Sequence, residues 1–360
     1  MFYIAAFIIL FLNFFILITL KLFIKNSKTH NNFEFLNFSI VVAAKNEENN
    51  IENLLLSLKS QNYPKDKFEI IIVDDNSSDK TYEIVCEFAK NNPELKIKPI
   101  KATKKKLPAK KGALEIGIAN SSFEHILITD ADCYAEKDWL ISMSKAFSNG
   151  ADIIIGKAPF FNNQNFIFKI SIYENLKTFI VSHFAISLNL AYTATARNFG
   201  YTKDIYIQIN GYRNTLDTIS GDDDLFIREA TKINAKIKGL YYNNSCVYSN
   251  SKATLKEYYL QKARHTSTSF HYLPKHQIFL LLWHFLSMQY ILLSPFIFFN
   301  FNLIFPLIAS LVSNQLISFI MQKELNYKYN YISIILYDFI YQINLIINIF
   351  TGYFYNNKWK

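Results

Sequence analysis

Apolar residues fall along this chain in two regimes, with long unbroken runs toward both ends and short runs between them. Met1 to Phe23 is apolar apart from Asn13, Thr19 and Lys21, and it reaches the ~20 residues that a spanning helix needs. No charged region precedes it and no small-residue cleavage site follows, so the pattern predicts a retained anchor over 1–24 and not a signal peptide. Lys21, Lys25 and Lys28 come next, a basic flank that places the following domain on the cytoplasmic side. The long-run regime returns at Ile278–Phe299 and Leu303–Met321, joined by the uncharged Asn300-Phe301-Asn302. Tyr331–Phe354 is a third stretch, interrupted by Asp338, Gln342, Asn344 and Asn348. Two crossings bring Lys323 and Lys328 back inside. A third would put Lys358 and Lys360 outside, against the charge bias, unless the last segment is re-entrant or interfacial.

Between these ends the pattern changes to that of an α/β domain. Phe38–Ala44 is a short apolar run of the kind a buried parallel strand shows. Ile51, Leu54, Leu55 and Leu58 then mark one face of a helix. Glu69–Val73 predicts a second strand, ended by Asp74-Asp75-Asn76-Ser77-Ser78-Asp79, and Lys96–Ile100 a third. A helix is expected near Lys111, strands at His125–Thr129 and Ala151–Gly156, and a basic, helical, interfacial segment over 251–276. Strands alternating with helices predict a largely parallel sheet over 36–250, with ligands beyond the carboxyl ends of its strands. The helices of 277–355 complete a multi-pass protein of the inner (plasma) membrane.

Composition changes this picture little. The net charge is +9, which suits a cytoplasmic membrane face, anionic lipid heads and phosphorylated substrates. No basic stretch interleaved with base-stacking aromatics forms a nucleic-acid module, so no nucleic acid is expected. Cys86, Cys133 and Cys246 are odd in number and lack CxxC spacing, which argues against a disulfide framework or a zinc site.

The candidate chemistry lies where the strands end. Asp130-Ala131-Asp132 sets two carboxylates one residue apart, able to share a Mg²⁺ or Mn²⁺ ion with substrate phosphates. A bare D-x-D is weak, and two solvated turn aspartates are the plain alternative. At Asp74-Asp75 a carboxylate can accept hydrogen bonds from a base or a ribose, while Ser77, Ser78 and Asp79 suit helix capping. Lys110-Lys111-Gly112 ends a basic run and can meet a diphosphate near a helix start, whereas Lys104 to Lys106 read as solvated charge. Gly221-Asp222-Asp223-Asp224 opens another helix. One of its carboxylates is a candidate general base, Asp223 before Asp222, with Asp224 capping or facing solvent. Gln261, Arg264 and His265 share one helical face, from which Arg264 can pair with a pyrophosphate.

In this order, Ala44-Lys45-Asn46-Glu47-Glu48, Val73-Asp74-Asp75, Lys110-Lys111-Gly112, Asp130-Ala131-Asp132, Gly221-Asp222-Asp223 and Gln261-x-x-Arg264, the chain resembles the membrane-bound family 2 glycosyltransferases over nearly its whole length. The resemblance implies a GT-A nucleotide-sugar fold and inversion at the anomeric carbon. It implies a UDP- or GDP-sugar donor and a lipid or lipid-linked acceptor, for cell-envelope glycan or glycolipid synthesis. Ala44, Asn46 and Glu47 would border the nucleotide, Asp74 or Asp75 would bind the nucleoside, and Asp130 and Asp132 would take the diphosphate and metal. Asp223 would act as base. Gln261 and Arg264 match the start of the family's Q-x-x-R-W motif, with His265 in place of the tryptophan that borders the acceptor in processive synthases. Gly211-Tyr212 is similar to the family's G-G-[FY] segment, with Asn210 for the first glycine. A processive polymer synthase and an inactive nucleotide-binding scaffold are the competing readings.

Overall fold

The computed structural model describes residues 2–27, 34–161, 165–242 and 244–355; Lys28, Lys358 and Lys360, which bear on the expected topology, lie outside them. The chain begins with α1 (Phe2–Ser27), then β1 (Phe38–Ala44), α2 (Ile51–Lys59), β2 (Phe68–Asp74), α3 (Thr81–Asn91) and β3 (Lys96–Lys101). It continues through α4 (Ala109–Ala119), β4 (His125–Ile128), β5 (Tyr134–Ala135), α5 (Trp139–Ser148) and β6 (Ile153–Gly156). After α6 (Phe166–Ser187) come β7 (Phe199–Thr202), α7 (Lys203–Gln208), α8 (Asp224–Lys232), β8 (Ile237–Leu240) and β9 (Val247–Tyr248). Four helices end it: α9 (Leu255–Ser269), α10 (Pro274–Leu293), α11 (Ile304–Met321) and α12 (Tyr331–Tyr353). Two compact units result, one of Ser27–Phe161 with Tyr192–Asn250, the other of Met1–Asn26, Asn162–Ala191 and Ser251–Tyr355.

The first unit is built on a mixed seven-stranded sheet in the order β3-β2-β1-β4-β7-β6-β8. Strands β3, β2, β1 and β4 run parallel, as expected from the sequence. Strand β7 is antiparallel to both β4 and β6, while β8 is parallel to β6. β1 and β2 are apolar on both faces because both faces are covered. Phe38, Ile40, Val42, Phe68, Ile70 and Ile72 share one core with Leu54, Leu58, Val85, Phe88 and Trp139 from α2, α3 and α5. On the opposite face α4 approaches so closely that a Cβ on Gly117 would stand 2.4 Å from Val41 Cγ1, so only glycine fits there. A short second sheet pairs β5 with β9, Tyr134 opposite Tyr248.

The second unit is helical, and it takes in α6, a helix that lies inside the 36–250 interval the sequence pattern gives to the α/β domain. Lys169, Glu174 and Lys177 break the hydropathy of α6, which conceals its kinship with the apolar helices. Among the described residues four helices, Phe2–Ser27, Pro274–Phe298, Phe301–Leu325 and Tyr331–Tyr353, are long and apolar enough to cross a membrane. The polar interruptions of α12 turn inward: Asp338, Gln342, Asn344 and Asn348 are all buried. Asp338 accepts hydrogen bonds from the hydroxyls of Tyr173 (2.9 Å) and Tyr290 (2.8 Å) and pairs with Lys177 at 2.9 Å. That is the arrangement expected of a charge placed among apolar helices. Helix α9 starts with a capping box of Thr254 and Glu257. Its Lys262 pairs with Glu174 at 3.1 Å, and its Tyr259 hydroxyl donates to Asn344 Oδ1 at 2.7 Å.

Candidate active site

The carboxyl edge of the parallel strands is assembled by backbone first. The Asp75 N–H donates to Ala44 O at 2.7 Å, continuing the ladder past β1 and β2 and fixing the aspartate pair beside Ala44. The loops beyond those strands then latch onto each other. Asn46 N–H donates to Ser77 Oγ, Ser78 N–H to Asn46 Oδ1, and Glu47 N–H to Thr81 Oγ1. Ser77 and Ser78 thus serve the latch and not the capping expected of them. Asp79, one residue before the N-cap Lys80, accepts from Thr81 N–H at 3.0 Å and joins the latch through Glu48 N–H at 3.1 Å. Asn46 and Asn76 both adopt left-handed backbone, φ 55° and 56°, which asparagine tolerates.

Asp74 and Asp75 differ in what remains to them. Asp75 is buried and neutralised by the Lys105 ammonium, so Lys105 is not the solvated charge that the basic run suggests. Asp74 is equally buried, yet its Oδ1 has no hydrogen-bond partner, while Oδ2 accepts from Ser77 N–H at 3.3 Å. A buried acceptor left unpaired costs roughly 1–3 kcal/mol, and an incoming donor group would recover it.

Further along the edge, Lys110 in the first turn of α4 reaches two acidic elements at once. Its ammonium stands 2.7 Å from Asp130 Oδ1, at the end of β4, and 2.9 Å from Asp222 Oδ2, before α8. Burial works against this charge, but Asp130 and Asp222 outweigh it and raise the lysine's proton affinity. Ala109, just before Lys110, holds φ 50°, a strained setting for an alanine that a tightly built site tolerates. Asp132 is half-buried and next to the buried Cys133. Among the described residues no third His, Cys, Asp or Glu gathers with this pair. Two hard oxygen donors nonetheless fit a Mg²⁺ or Mn²⁺ ion that takes its other ligands from phosphate and water.

Gly221, at φ 77°, makes the turn that delivers the acidic triplet. Asp223 caps α8: its Oδ1 accepts from Asp224 N–H at 2.8 Å, and its Oδ2 from Ala196 N–H at 3.0 Å. Burial and the carboxylates of Asp224 and Asp222 push Asp223 well above the usual carboxylate range. Asp222 is also desolvated, but Lys110 holds it below that range. Two adjacent carboxyls driven apart in this way leave one as a fixed counter-charge and the other as a candidate base. Asp224 neither caps nor faces solvent: it is buried, accepting from the Thr193 hydroxyl and, at 3.3 Å, from Ala194 N–H.

Lys111 turns the other way from Lys110. It is fully buried, and its ammonium donates to the carbonyls of Thr215 and Thr218 (2.9 Å for the latter). Arg228 clamps the same loop through Asn214 O at 2.7 Å and Asp217 at 2.8 Å. Burial lowers Lys111 to about 8. The unfolded chain therefore binds the extra proton between pH 8 and the ordinary lysine value of ~10.4, and this group's contribution to stability rises with pH across that window. Lys111→Met strands two buried carbonyls at about 1–3 kcal/mol each. It should lower the melting temperature and remove that pH slope, and thermal melts at pH 7.5 and 9.5 measure both.

Residues 39–209 match the family model described as glycosyl transferase family 2. The domain built on this sheet belongs to glycosyl transferase family 2. The family 2 domain is 38% identical over 109 residues to a beta-monoglucosyldiacylglycerol synthase of Trichormus variabilis, covering 30% of this chain and 23% of that protein. It is 28% identical over 214 residues to the probable glycosyltransferase YdaM of Bacillus subtilis, covering 57% of this chain and 47% of the other. The chain thus spans less than two thirds of the length of these curated relatives. A mannosyltransferase from Pyrobaculum calidifontis, solved with GDP-Man and Mn²⁺, shares the GT-A fold across 97% of this chain and 99% of its own, at 17% identity and a TM-score of 0.54.

Not every residue expected at the family 2 site lies open to a substrate. Tyr212 is buried, with its hydroxyl 2.9 Å from that of Tyr201, so it is core to the loop that follows Gly211. Ala44 is likewise buried and contributes backbone. Gln261 and Arg264 are half-buried on α9 and His265 is exposed there. The sequence pattern also passes over Asn198, fully buried between Trp139 Nε1, Lys157 O and Ser245 O. A lone asparagine in a loop carries no signal of such a knot.

Proposed function

We propose that this chain is a glycosyltransferase that moves a sugar from a nucleotide diphosphate sugar, with inversion, to a lipid or lipid-linked saccharide at the cytoplasmic face of the plasma membrane. The observation that carries this reading is the Lys110 ammonium between Asp130 and Asp222, with Asp223 beside it as the more basic carboxylate. The end of one strand, β4, and the starts of two helices, α4 and α8, thereby supply a diphosphate end and a base within one site.

The acceptor hydroxyl attacks the anomeric carbon from the face opposite the nucleotide, and Asp223 takes its proton. Its two backbone hydrogen bonds hold the carboxylate in place for that transfer. The unpaired Asp74 Oδ1 receives an N–H of the base or a ribose hydroxyl. Asp130 and Asp132 would hold a divalent cation, which when bound would supply charge neutralisation to the leaving diphosphate. Gln261, Arg264 and His265 keep the roles that the family resemblance implies. The product named for the Trichormus relative, a monoglucosyldiacylglycerol, supports a lipid-borne acceptor, and Lys21 and Lys25 support the cytoplasmic orientation.

Purified full-length protein, screened for donor hydrolysis with UDP-, GDP- and dTDP-sugars, should turn over at least one in the presence of Mg²⁺ or Mn²⁺ and stop on chelation. Asp132→Ala should lower that rate by about 10²–10³-fold, the scale of several kcal/mol of charge stabilisation. Near-normal turnover by the variant, or by the chelated enzyme, would overturn the assignment.

A further inference from the structure

One cluster is left over by this mechanism. Tyr134 on β5 is 38% exposed and Phe161 is 40% exposed, unusual for rings on a domain whose other aromatics are largely buried. Tyr134 pairs across the small sheet with Tyr248. Phe161 stacks on Tyr248 with ring centres 5.3 Å apart and planes 21° from parallel, and it approaches Tyr134 at 6.3 Å. With Tyr134 tilted 56° from Phe161, the three rings form one aromatic cluster, a shelf with a raised side. It is rigidly backed: Phe161 N–H donates to Ser249 O at 3.0 Å, and the Tyr248 hydroxyl reaches Glu136 at 3.3 Å.

The shelf borders both halves of the proposed chemistry. At one end Tyr134 follows Asp132 by two residues, a backbone span of at most about 7 Å. At the other, Ala196 donates its N–H to the Asp223 carboxylate, and the next residue, Arg197, donates to Ser249 Oγ and, at 2.9 Å, to Ala158 O. The Arg197 guanidinium also lies 4.5 Å over the Phe160 ring. A single residue step thus ties the base to the strand that carries the shelf.

We propose that Tyr134, Phe161 and Tyr248 form the acceptor subsite and that it takes a pyranose ring, so the enzyme extends a sugar already in place and does not glycosylate a bare lipid. This rests on the glycosyl-transfer reading above. The exposed faces of Tyr134 and Phe161 complement the C–H face of a sugar ring, and the Tyr134 hydroxyl suits its ring hydroxyls. A glycerol hydroxyl needs no such pair of rings.

The test uses full-length protein in nanodiscs, with saturation-transfer NMR to cellobiose, maltose and chitobiose and a parallel titration with UDP and GDP. At least one disaccharide should show saturated ring protons. Tyr134→Ala and Phe161→Ala, both at exposed positions, should each weaken that binding by about tenfold, the scale of one lost stacking contact. Nucleotide binding should be unchanged, and Phe161→Trp should retain saccharide binding. In transfer assays the alanine variants should raise the acceptor KM and leave donor hydrolysis intact. No saturation by any of the three sugars overturns the subsite, as does unaltered binding by both alanine variants. Equal transfer to dioleoylglycerol and to glucosyl-dioleoylglycerol by the wild type overturns it too. Failure of the wild type to bind either nucleotide counts against the transferase reading instead, a result the saccharide signal does not share.

Discussion

Asp223→Asn will lower glycosyl transfer by about 10²–10⁴-fold, the usual share of a positioned general base, and leave the fold and donor affinity near wild type. The asparagine keeps the side-chain oxygen that accepts from Asp224 N–H or Ala196 N–H, so the start of α8 survives. Proton acceptance is lost together with one of the two backbone hydrogen bonds, the latter at roughly 1–3 kcal/mol of stability. Because burial and the two neighbouring carboxylates raise the Asp223 carboxyl, the base is protonated at a pH where an ordinary aspartate is still ionised. The acid limb of kcat should therefore stand above the ordinary aspartate value of ~3.9. Lys110→Met removes a cation that favours ionisation of Asp223 and should move the limb higher still. An acid limb that stays in place in Lys110→Met, or near-normal transfer by Asp223→Asn, would remove Asp223 from the mechanism.

The second large effect belongs to the helical unit. Lys177→Met leaves the Asp338 carboxylate buried with two tyrosine hydroxyls and no cation. Breaking a buried pair from one side costs roughly 3–5 kcal/mol. The double variant Lys177→Met, Asp338→Asn removes the orphaned charge yet still offers an oxygen to Tyr173 or Tyr290, and most of the stability should return. Thermal unfolding in detergent distinguishes the cases. A single variant as stable as the double would mean that Asp338 is neutral in the folded protein.

Much of the site was legible because its residues sit where apolar runs stop. Strands β1, β2 and β4 end at Ala44, Asp74 and two residues before Asp130, and the alternation of run and stop shows in any window. What was not legible depends on contacts distant in sequence. The pairing of Lys105 with Asp75 and the inward turn of Lys111 follow from the way α4 lies against the sheet, and adjacent lysines look alike until that is known. Strand β7 leaves no mark in the pattern because Phe199–Thr202 is too short to show a period. The sequence pattern passes over helix α6, whose Glu174 and Lys177 look like solvent-facing charge, when their partners lie in α9 and α12.

That placement of α6 bears on the order in which the protein is made. The helix leaves the ribosome long before α11 and α12, the elements that meet its Tyr173 and Lys177. Until they arrive, α6 is a segment with buried-type side chains and nothing to bury them against, the kind of exposed intermediate that aggregates or recruits chaperones. A soluble fragment cut at residue 250 would hold this helix in that waiting state permanently, and the family 2 domain is better excised by replacing residues 162–191 with a short polar linker than by trimming the ends.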